Sequence, residues 1–262
     1  MNQIYKYPRT KHIYGSKLQP GDEDLVNVPF EQIKGRNIVI EEKVDGANSG
    51  ISSFNEKLLL QSRGHYLTGG YRERHFDLFK TWANNWSNQF IDLLGERYIM
   101  YSEWLYAKHT IFYDKLPHYN MEFDILDTQT NNFLDTPTRQ NMLNNFPFIH
   151  SVKILFEGKL NDVEQLHEMI NKSHFISDDY VKNLTEESLK LKLDSNKILN
   201  ETDLSGLMEG LYIKVEEDGI VKERYKFVRN EFLTTVTDSE THWLDRPIIP
   251  NQLNITIDEL FL

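Results

Sequence analysis

Residues 38–50 of this 262-residue chain begin as an apolar strand and have Lys43 at their centre, followed by Asp45 and Gly46. The stretch alternates as a strand does, so Lys43 and Asp45 are expected on one face and Val44 on the other. A lysine beside a carboxylate, with Gly46 leaving room for a ligand near the backbone, is able to form a covalent intermediate. The same residues also fit a surface lysine–aspartate pair at a hairpin turn, so this motif alone predicts no function.

Charged side chains on later predicted strands widen the chemistry that Lys43 could perform. Glu103 and Glu209 lie in or beside apolar strand sequence, where a buried carboxylate needs a cation. Arg224 and Lys226 are spaced to share one face of the last strand. Nucleotidyl transfer from a triphosphate needs such a set, because cations neutralise the phosphates and carboxylates hold magnesium. Nearby positive charge is also expected to lower the pKa of Lys43 and free its amine for attack.

Six short motifs, in order along the chain, make a specific resemblance. They are Lys43-Val-Asp-Gly46, Ser62-Arg-Gly64, Ser102-Glu103-Trp104, Glu122-Phe-Asp-Ile125, Glu209-Gly-Leu-Tyr-Ile-Lys214 and Arg224-Tyr-Lys226. Their order resembles that of the covalent nucleotidyltransferases, which comprise ATP-dependent DNA ligases, RNA ligases and mRNA capping enzymes. The run Glu42-Lys-Val-Asp-Gly-Ala-Asn48 resembles the phage and kinetoplastid RNA ligases, which seal nicks and ends in RNA repair.

The resemblance implies an ATP-dependent RNA ligase that joins 5′-phosphate and 3′-hydroxyl ends. Lys43 would attack the α-phosphate of ATP and give lysyl-AMP and pyrophosphate. AMP would then pass to the 5′-phosphate of RNA, and a 3′-hydroxyl would displace it. The implied cofactors are ATP, as the AMP donor, and Mg²⁺, with Mn²⁺ as an alternative. The implied partner is nucleic acid, above all RNA ends or nicks.

The resemblance assigns a role to each matching position. Lys43, Asp45, Glu209 and Lys226 would be catalytic, with Asp45 organising the surroundings of the nucleophile. Glu103 and Glu209 would hold the metal, and Glu103 would also contact the nucleotide. The other implied cofactor-binding residues are Glu42, Asn48, Arg63, Phe123, Lys214 and Arg224.

Within this last group, Phe123 would stack on adenine and Arg63 would contact ribose or phosphate. Arg224 stands where the family commonly has a lysine, and it would grip the phosphates with a contact of different shape. Glu42 is expected to help to select adenine and Lys214 to bind the nucleotide. Strand alternation nevertheless turns each of these two away from the catalytic residue of its own motif.

Two other functions stay open on the sequence alone. One is a minimal ATP-dependent DNA ligase, or a ligase of mixed RNA and DNA ends. DNA ligases usually carry an arginine shortly after the motif glycine, where this chain has Ala47 and Asn48. The other is a catalytically inactive nucleotide-binding relative, which six intact motifs disfavour.

Periodicity predicts the elements that carry these motifs. A strand at 38–43 precedes a hairpin over 51–61, and apolar spacing at three and four residues predicts a helix over 72–94. Further strands are expected at 98–105, 121–126, 209–215 and 221–228, the last two joined by an Asp218-Gly219 turn. The expected class is α+β. The resemblance implies the nucleotidyltransferase fold, which is ATP-grasp-like, with two mainly antiparallel sheets flanked by helices and an active-site cleft between them.

Composition favours one domain over two. With 39% hydrophobic and 26% charged residues and no internal repeat or linker, residues 1–262 are expected to form a single nucleotidyltransferase domain. A helical acidic insert is predicted at about 136–205. Only 36 residues follow Lys226, so no appended oligonucleotide-binding-fold domain is expected. The basic N-terminus, or a partner protein, would then supply the missing nucleic-acid-binding surface.

The distribution of charge narrows where nucleic acid could bind. The net charge of −11 has the wrong sign for coating nucleic acid by bulk electrostatics. Residues 1–20 nevertheless carry four basic side chains and no acidic one, whereas residues 156–203 carry eleven acidic and six basic. No apolar run approaches the roughly 18 residues of a membrane span. Zero cysteines are compatible with a cytoplasmic location, which we expect.

Overall fold

The computed structural model describes residues 4–18, 22, 25–232 and 247–262. Its strands are β1 (Lys11–His12), β2 (Ile38–Lys43), β3 (Ala47–Phe54), β4 (Lys57–Ser62), β5 (Tyr98–Trp104), β6 (Asn120–Asp127), β7 (Asn132–Leu134), β8 (His150–Ser151), β9 (Ile154–Gly158), β10 (Gly210–Glu217) and β11 (Ile220–Val228). Its helices include α1 (Asp77–Asn85), α2 (Ser87–Leu94), α3 (Thr136–Leu143), α4 (Glu164–Met169), α5 (Tyr180–Lys190) and α6 (Ser195–Asn200), with 3₁₀ turns at Phe30–Gln32, Tyr71–Phe76 and Ile257–Phe261. Helices and a large sheet occur together, as the predicted class requires.

One hydrogen-bonded sheet connects the described strands, in the order β4-β3-β5-β6-β7-β11-β10-β2-β9, with β1 beside β11 and β8 beside β6. Neighbours along the main path are antiparallel. The expectation of two separate sheets is therefore wrong. They are joined because β7 pairs with β6 on one side and with β11 on the other. Three residues are too few for an alternating pattern to reveal such a strand.

Alternation on β2, β10 and β11 separates an apolar face from a polar one. The apolar face joins a buried cluster that includes Ile38, Ile40, Leu211, Ile213, Tyr225 and Phe227. The other face carries Glu41, Lys43, Tyr212, Lys214, Arg224 and Lys226. Because the side-chain period of a strand is two, one face packs while the other remains available for chemistry.

Two tight turns have the backbone geometry that their residues favour. Asn55 and Glu56 join β3 to β4 with φ of 49° and 56°, and Asp218 and Gly219 join β10 to β11 with φ of 56° and 79°. Two successive positive φ values match the twist of antiparallel strands, and asparagine, aspartate and glycine adopt them readily. Both predicted hairpins are confirmed.

The helix predicted over 72–94 is divided into a 3₁₀ turn, α1 and α2. The chain leaves the helical region at Trp86, where φ is −101° and ψ is 22°. The apolar spacing continues across this break, so Phe79, Trp82 and Phe90 are all fully buried in one cluster. The aromatic stripe is therefore core, as the sequence predicts.

Residues 136–205, predicted as a helical insert, contain α3 to α6 but also β8 and β9. β9 pairs with β2, the strand that ends at Lys43, and β8 pairs with β6. Arg139 and Leu143 of α3 are buried. The first part of this segment thus belongs to the main sheet and core, because its apolar residues 152–156 are extended. In the described ranges, no helix combines the length and the apolar character needed to cross a membrane.

Candidate active site

Lys43 forms an ion pair with a carboxylate from a distant part of the sequence. Its Nζ lies 2.6 Å from Oε1 of Glu209. Glu209 precedes β10, and the register of β10 with β2 places Gly210 opposite Lys43. The side chain of Lys43 is 21% exposed and that of Glu209 is 1% exposed. One strand pair therefore brings the first and fifth predicted motifs into contact.

Asp45 anchors the turn that follows the lysine. Its Oδ2 accepts hydrogen bonds from the backbone N–H groups of Thr110, at 2.7 Å, and Ile111, at 2.8 Å. Its own backbone N–H donates to Tyr113 Oη at 2.8 Å. Burial raises the pKa of the Asp45 carboxyl, although the donated N–H groups oppose this. The contacts support the predicted role of Asp45 in organising the surroundings of the nucleophile.

Two glycines allow the strands around Lys43 to approach one another closely. A Cβ atom at Gly46 would lie 2.7 Å from the backbone oxygen of Trp104, and one at Gly210 would collide with the backbone oxygen of Phe227. Backbone atoms cannot move aside as a flexible side chain can. The motif glycine is therefore required by the neighbouring strand. That it also leaves room for a ligand stays a prediction, and Gly46 lines the cavity beside Lys43.

Carboxylates surround the Lys43 amine. Burial lowers the pKa of Lys43, but the charges of Glu209, Glu103 and Asp45 outweigh burial and raise this pKa above its ordinary value. The expected lowering by positive neighbours is therefore wrong, because the charges closest to the amine are negative. Lys43 is held as an ammonium ion near neutral pH.

The pKa values of the carboxyl groups in this cluster are shifted as well. Burial raises the pKa of Glu103 to about 8, against the attraction of Lys43 and with the repulsion of the other carboxylates. Burial raises the pKa of Glu209 as well. Glu103 Oε1 accepts a hydrogen bond from the N–H of Gly46 at 3.1 Å.

These two glutamates fit the expected divalent cation. Mg²⁺ and Mn²⁺ prefer oxygen ligands, and Mg²⁺ is commonly held by one or two carboxylates together with substrate phosphates. A cation at Glu103 and Glu209 would relieve the crowded negative charge that the raised pKa values reflect. Within the described part of the chain, no three His, Cys, Asp or Glu side chains converge as a metal site. The remaining ligands would therefore come from water and substrate.

A cavity of about 1140 Å³ opens beside Lys43. The predicted site residues that line it are Glu42, Lys43, Asp45, Asn48, Arg63, Glu103, Phe123, Glu209 and Lys226. They come from both halves of the sheet, so the predicted cleft lies between two halves of one sheet. Pockets for small molecules usually measure about 300–1,000 Å³, so a nucleotide fits.

Lys214 lies outside this lining, in a closed ionic network. Its Nζ lies 2.9 Å from Glu41 and 3.1 Å from Asp124, and it donates to the backbone oxygen of Phe123. Arg139 lies 2.6 Å from Glu41 and donates to the same backbone oxygen. We expected Lys214 to contact the nucleotide directly. The structure does not support this contact, because the side chain is only 1% exposed.

Arg224 also lies outside the lining. Its guanidinium is 3.8 Å from the ring centroid of Phe133 and 5.5 Å from that of Tyr7. It shares a strand face with Lys226, as predicted, but of these two cations it is Lys226 that lines the cavity. The flat guanidinium is stacked on an aromatic ring, which differs from the phosphate contact that the sequence predicts.

Glu42 points away from Lys43, as alternation predicts, although it still reaches the cavity wall. Its Oε1 accepts from Ser173 Oγ at 2.5 Å, and its Oε2 lies 2.8 Å from His174 Nδ1. Both partners belong to the acidic segment, which we did not connect with the site. A contact between residues so far apart leaves no local pattern in the sequence.

Lys226 is held by residues that the sequence did not single out. It is paired with Asp22, whose carboxylate also lies 3.3 Å from His12 Nε2 and 3.1 Å from Arg9 Nη2. Burial, and then the charge of Lys226, lower the pKa of His12 to about 4, so its ring is neutral at pH 7. Burial and the charge of Lys43 lower the pKa of Lys226. No apolar periodicity in the sequence marks Asp22 as a partner of Lys226.

The N-terminal segment forms part of the cavity wall. Tyr7, Pro8 and Thr10 line the cavity. The ring of Tyr7 packs edge-on against Phe123 at 5.1 Å between centroids, and its hydroxyl donates to Asp124 Oδ2 at 2.5 Å. The stretch predicted to meet nucleic acid therefore borders the cavity itself.

Comparison with known proteins gives a family and a fold. A family model described as RNA ligase matches residues 36–228. Sequence comparison with curated proteins gives no match. Among solved structures, Naegleria gruberi RNA ligase with pyrophosphate has a TM-score of 0.54 at 17% identity. A mutant of that ligase with ATP and Mn scores 0.55 at 18% identity, and a mutant with AMP and Mn scores 0.56 at 17%.

Each of these structural alignments covers 90% of this chain and 59% of the Naegleria chain. At such low identity the similarity shows the fold. The family match identifies the chain, because it runs from just before β2 to the end of β11 and includes every predicted motif. The chain therefore belongs to the RNA ligase family.

Proposed function

We propose that this protein is an ATP-dependent RNA ligase that joins 5′-phosphate and 3′-hydroxyl ends through lysyl-AMP and adenylated RNA. The observation that carries the proposal is Lys43, held 2.6 Å from Glu209 beside a cavity of about 1140 Å³. The Naegleria ligase structures contain ATP with Mn, AMP with Mn, or pyrophosphate. These are the donor, the transferred group and the product of the first proposed step.

In the first step, the Lys43 nitrogen attacks the α-phosphorus of ATP. The Lys43 ammonium first loses one proton to water and becomes a nucleophilic amine. A P–N bond then forms, the bond to pyrophosphate breaks, and the nitrogen releases a second proton to water. Glu209, which lies 2.6 Å from the nitrogen, positions it for the attack. A divalent cation at Glu103 and Glu209 would supply positive charge that neutralises the phosphates and lowers the pKa of Lys43.

The next two steps use the same cavity. An oxygen of the RNA 5′-phosphate attacks the phosphorus of lysyl-AMP, which releases the amine and forms adenylated RNA. The 3′-hydroxyl then attacks the 5′-phosphate, loses its proton to water, and releases AMP as the phosphodiester forms. The charged side chains around the cavity would stabilise the phosphates in both steps.

Binding roles follow for the other lining residues. Phe123 would stack on adenine, while Arg63 and Lys226 would contact the phosphates or ribose. Asn48, on β3, would help to orient the nucleotide close to the nucleophile. Lys214 would act indirectly, because it holds the backbone oxygen of Phe123.

Broader features of the proposal stay predictions. These are a single nucleotidyltransferase domain over residues 1–262, a cytoplasmic location and a role in RNA repair. Nucleic acid is the substrate that we propose. A partner protein that supplies additional nucleic-acid-binding surface is a further prediction.

Intact-mass analysis after incubation with ATP and Mg²⁺ tests the covalent step. The protein should first be treated with pyrophosphate to remove any AMP that it carries. We expect the gain of one AMP, mapped to Lys43 and absent in Lys43→Ala. Lys57→Ala, which changes an exposed lysine on β4, should still gain AMP. Unmodified mass of the wild-type chain with both Mg²⁺ and Mn²⁺ would show that the covalent mechanism is wrong.

Nicked duplexes separate the RNA ligase from the DNA ligase alternative. The same 5′-phosphorylated nick should be offered in all-RNA and all-DNA form to the adenylated protein. We expect faster sealing of the RNA nick. Equal or faster sealing of the DNA nick would contradict the RNA assignment, and AMP uptake without sealing of either would contradict ligation.

A further inference from the structure

A loop at the mouth of the cavity carries exposed aromatic and basic side chains whose role the proposed reaction leaves open. We name residues 63–74 the rim loop. Arg63, Gly64, His65, Gly69, Gly70 and Tyr71 of this loop line the cavity. Its position matters because any strand that receives AMP from Lys43 must enter past this mouth.

Hydrogen bonds and an ion pair hold the second half of the rim loop. The buried carboxylate of Glu73 accepts hydrogen bonds from the backbone N–H groups of Thr68, at 3.0 Å, and Gly69, at 2.8 Å. It also lies 3.4 Å from Lys80 Nζ on α1. At the end of the loop, Trp104 Nε1 donates to the backbone oxygen of His75 at 2.8 Å. Both ends of the segment 68–75 are thus tied to buried groups.

Positive φ angles at two glycines give the loop its shape. Gly69 and Gly70 have φ of 111° and 116°, a region that side chains other than glycine rarely adopt. They lead directly into Tyr71, which is 79% exposed. What sets this exposed ring apart from others on the surface is its place at the mouth of the cavity.

The exposed ring is backed by a cation. The guanidinium of Arg74 lies 4.5 Å from the ring centroid of Tyr71. A ring has two faces, so Arg74 on one face leaves the other for a flat partner. Aromatic side chains with nearby arginines are the usual stacking platforms for bases of single-stranded nucleic acid.

A second basic segment borders the same mouth. We name residues 5–11 the N-terminal rim. Its Tyr5 backbone oxygen accepts hydrogen bonds from Gln61 Nε2 at 2.9 Å and from Tyr101 Oη at 2.8 Å. Gln61 lies only two residues before Arg63, so the N-terminal rim and the rim loop are neighbours.

The side chains of the N-terminal rim divide between cavity and solvent. Tyr7 and Thr10 are buried and line the cavity. Lys6, Arg9 and Lys11 are exposed. The segment therefore leaves Lys6 and Lys11 exposed, while Tyr7 faces the cavity and Arg9 is paired with Asp22.

The charge of the two rims contrasts with that of the whole protein. The rim loop carries three arginines and one glutamate, and the N-terminal rim carries three basic residues and no acidic one. The chain as a whole has a net charge of −11. A polyanion is therefore attracted to the mouth of the cavity and repelled by much of the remaining surface.

We propose that the two rims bind the single-stranded end of the RNA that receives AMP, with one base stacked on Tyr71 and its phosphates along Arg63 and Lys6. This inference rests on the proposed function for the identity of the strand. The stacking residue is fixed independently, by the exposure of Tyr71, the cation behind its ring and its place at the cavity mouth.

Binding of a short 5′-phosphorylated single-stranded RNA, followed by fluorescence anisotropy without ATP, tests the inference. Tyr71→Ala should weaken binding by roughly 5- to 100-fold, the usual effect of losing one stacked base. Tyr71→Phe keeps the ring and should bind within about twofold of the wild type. Tyr14→Ala is the matched control, because Tyr14 is 70% exposed and lies outside the cavity lining.

Salt dependence provides a second measurement with a second variant. Arg63→Gln should reduce the slope of log affinity against log salt by about 0.7, as expected for one phosphate contact on a single strand. An unchanged slope would remove Arg63 from the phosphate path. Because this readout uses another residue, it tests the surface even if Tyr71→Ala does not fold.

Several results would overturn the inference. Tyr71→Ala that binds as tightly as the wild type would remove the stacking role, and so would an equal loss in Tyr14→Ala. AMP uptake by the wild-type chain is measured separately. If Lys43 gains AMP while Tyr71→Ala binds RNA normally, the rim surface is wrong and the ligase proposal stands. If binding depends on Tyr71 but no AMP is gained, the surface stands and the ligase proposal is wrong.

Discussion

Two lysine–glutamate pairs lie between the same two strands, β2 and β10, yet their surroundings differ. Lys43 of β2 is paired with Glu209, which immediately precedes β10, and Lys214 of β10 is paired with Glu41 of β2. Lys43 is 21% exposed and lines the cavity, whereas Lys214 is 1% exposed. The ion pairs are chemically alike, so access and neighbours decide which lysine is able to react.

The neighbours of the two pairs differ in charge, because the closed pair has a second cation beside the carboxylate of Asp124. Arg139 brings a second cation to the closed pair and contacts Glu41 at 2.6 Å. At the open pair, Glu103 and Asp45 add further negative charge around Lys43. A buried ion pair with compensating partners supports the fold, while a crowded cluster of carboxylates favours the arrival of another cation.

Replacing each lysine in turn should show the difference between the two pairs most clearly. Lys214→Met should lower the free energy of unfolding by about 3–5 kcal/mol, because the buried carboxylate of Asp124 loses its ion pair and Glu41 keeps only Arg139. Lys43→Met should cost less than half as much, since it leaves groups that water in the cavity can reach. Urea unfolding followed by circular dichroism measures both values.

An exposed pair provides the control for these two variants. Lys222 lies 3.1 Å from Asp218 at the surface. Lys222→Met should change stability little, because solvent screens such pairs. If Lys43→Met costs as much as Lys214→Met, the two pairs are equivalent in stability and the contrast fails.

The pH dependence of stability sharpens the contrast at Glu103. Its pKa of about 8 in the folded protein exceeds its ordinary value of 4.5, so the folded state binds the proton more tightly. Its contribution to stability is complete below about pH 4.5 and is lost as the pH rises through 8. Glu103→Gln removes this loss. Relative to the wild type, the variant should gain roughly 2–4 kcal/mol between pH 5 and pH 8, at about 1.4 kcal/mol per pKa unit.

Unfolding by urea at the two pH values tests this prediction. The difference between Glu103→Gln and the wild type should grow with pH. Ser52→Ala, a change on β3, is the control and should show no such trend. A constant difference across the range would mean that Glu103 ionises normally in the folded protein.

Phe123 joins the two regions, and the effect expected of its loss, on ATP binding, is the smallest of the three. Its backbone oxygen accepts hydrogen bonds from Lys214 and Arg139, while the residue also lines the cavity. Phe123→Ala should therefore weaken ATP binding by about 1–3 kcal/mol through lost stacking. Phe123→Tyr keeps an aromatic ring and should bind ATP nearly as well. Calorimetry with ATP measures the affinities, and equal binding by Phe123→Ala would remove the stacking role.

The strands and hairpins of the site could be predicted because their signals are local. Alternating residues mark β2, β10 and β11, and the Asp218-Gly219 turn fixes the register of the last two. The same alternation assigns Lys43 and Lys214 to one face. It could not distinguish a lysine that lines a cavity from one that is enclosed, because enclosure depends on Arg139 and Asp124 from other elements.

Other features of the site could not be predicted for the same reason. Asp22 holds Lys226, and His174 of the acidic segment holds Glu42, although the partners are far apart in the sequence. Such contacts arise only when distant segments meet in the folded chain. The sign of the pKa shift at Lys43 was wrong because it depends on these distances and not on composition.

Gly46 and Gly210 flank Lys43 and Glu209 in the sequence and contact the backbone of Trp104 and Phe227. Neither glycine contributes a functional group. A single added carbon at either position would force neighbouring strands apart and move every reactive atom while leaving all of them present. Two positions at this site therefore tolerate no side chain at all. A library that varies the chain should lose these glycines as rarely as it loses the lysine.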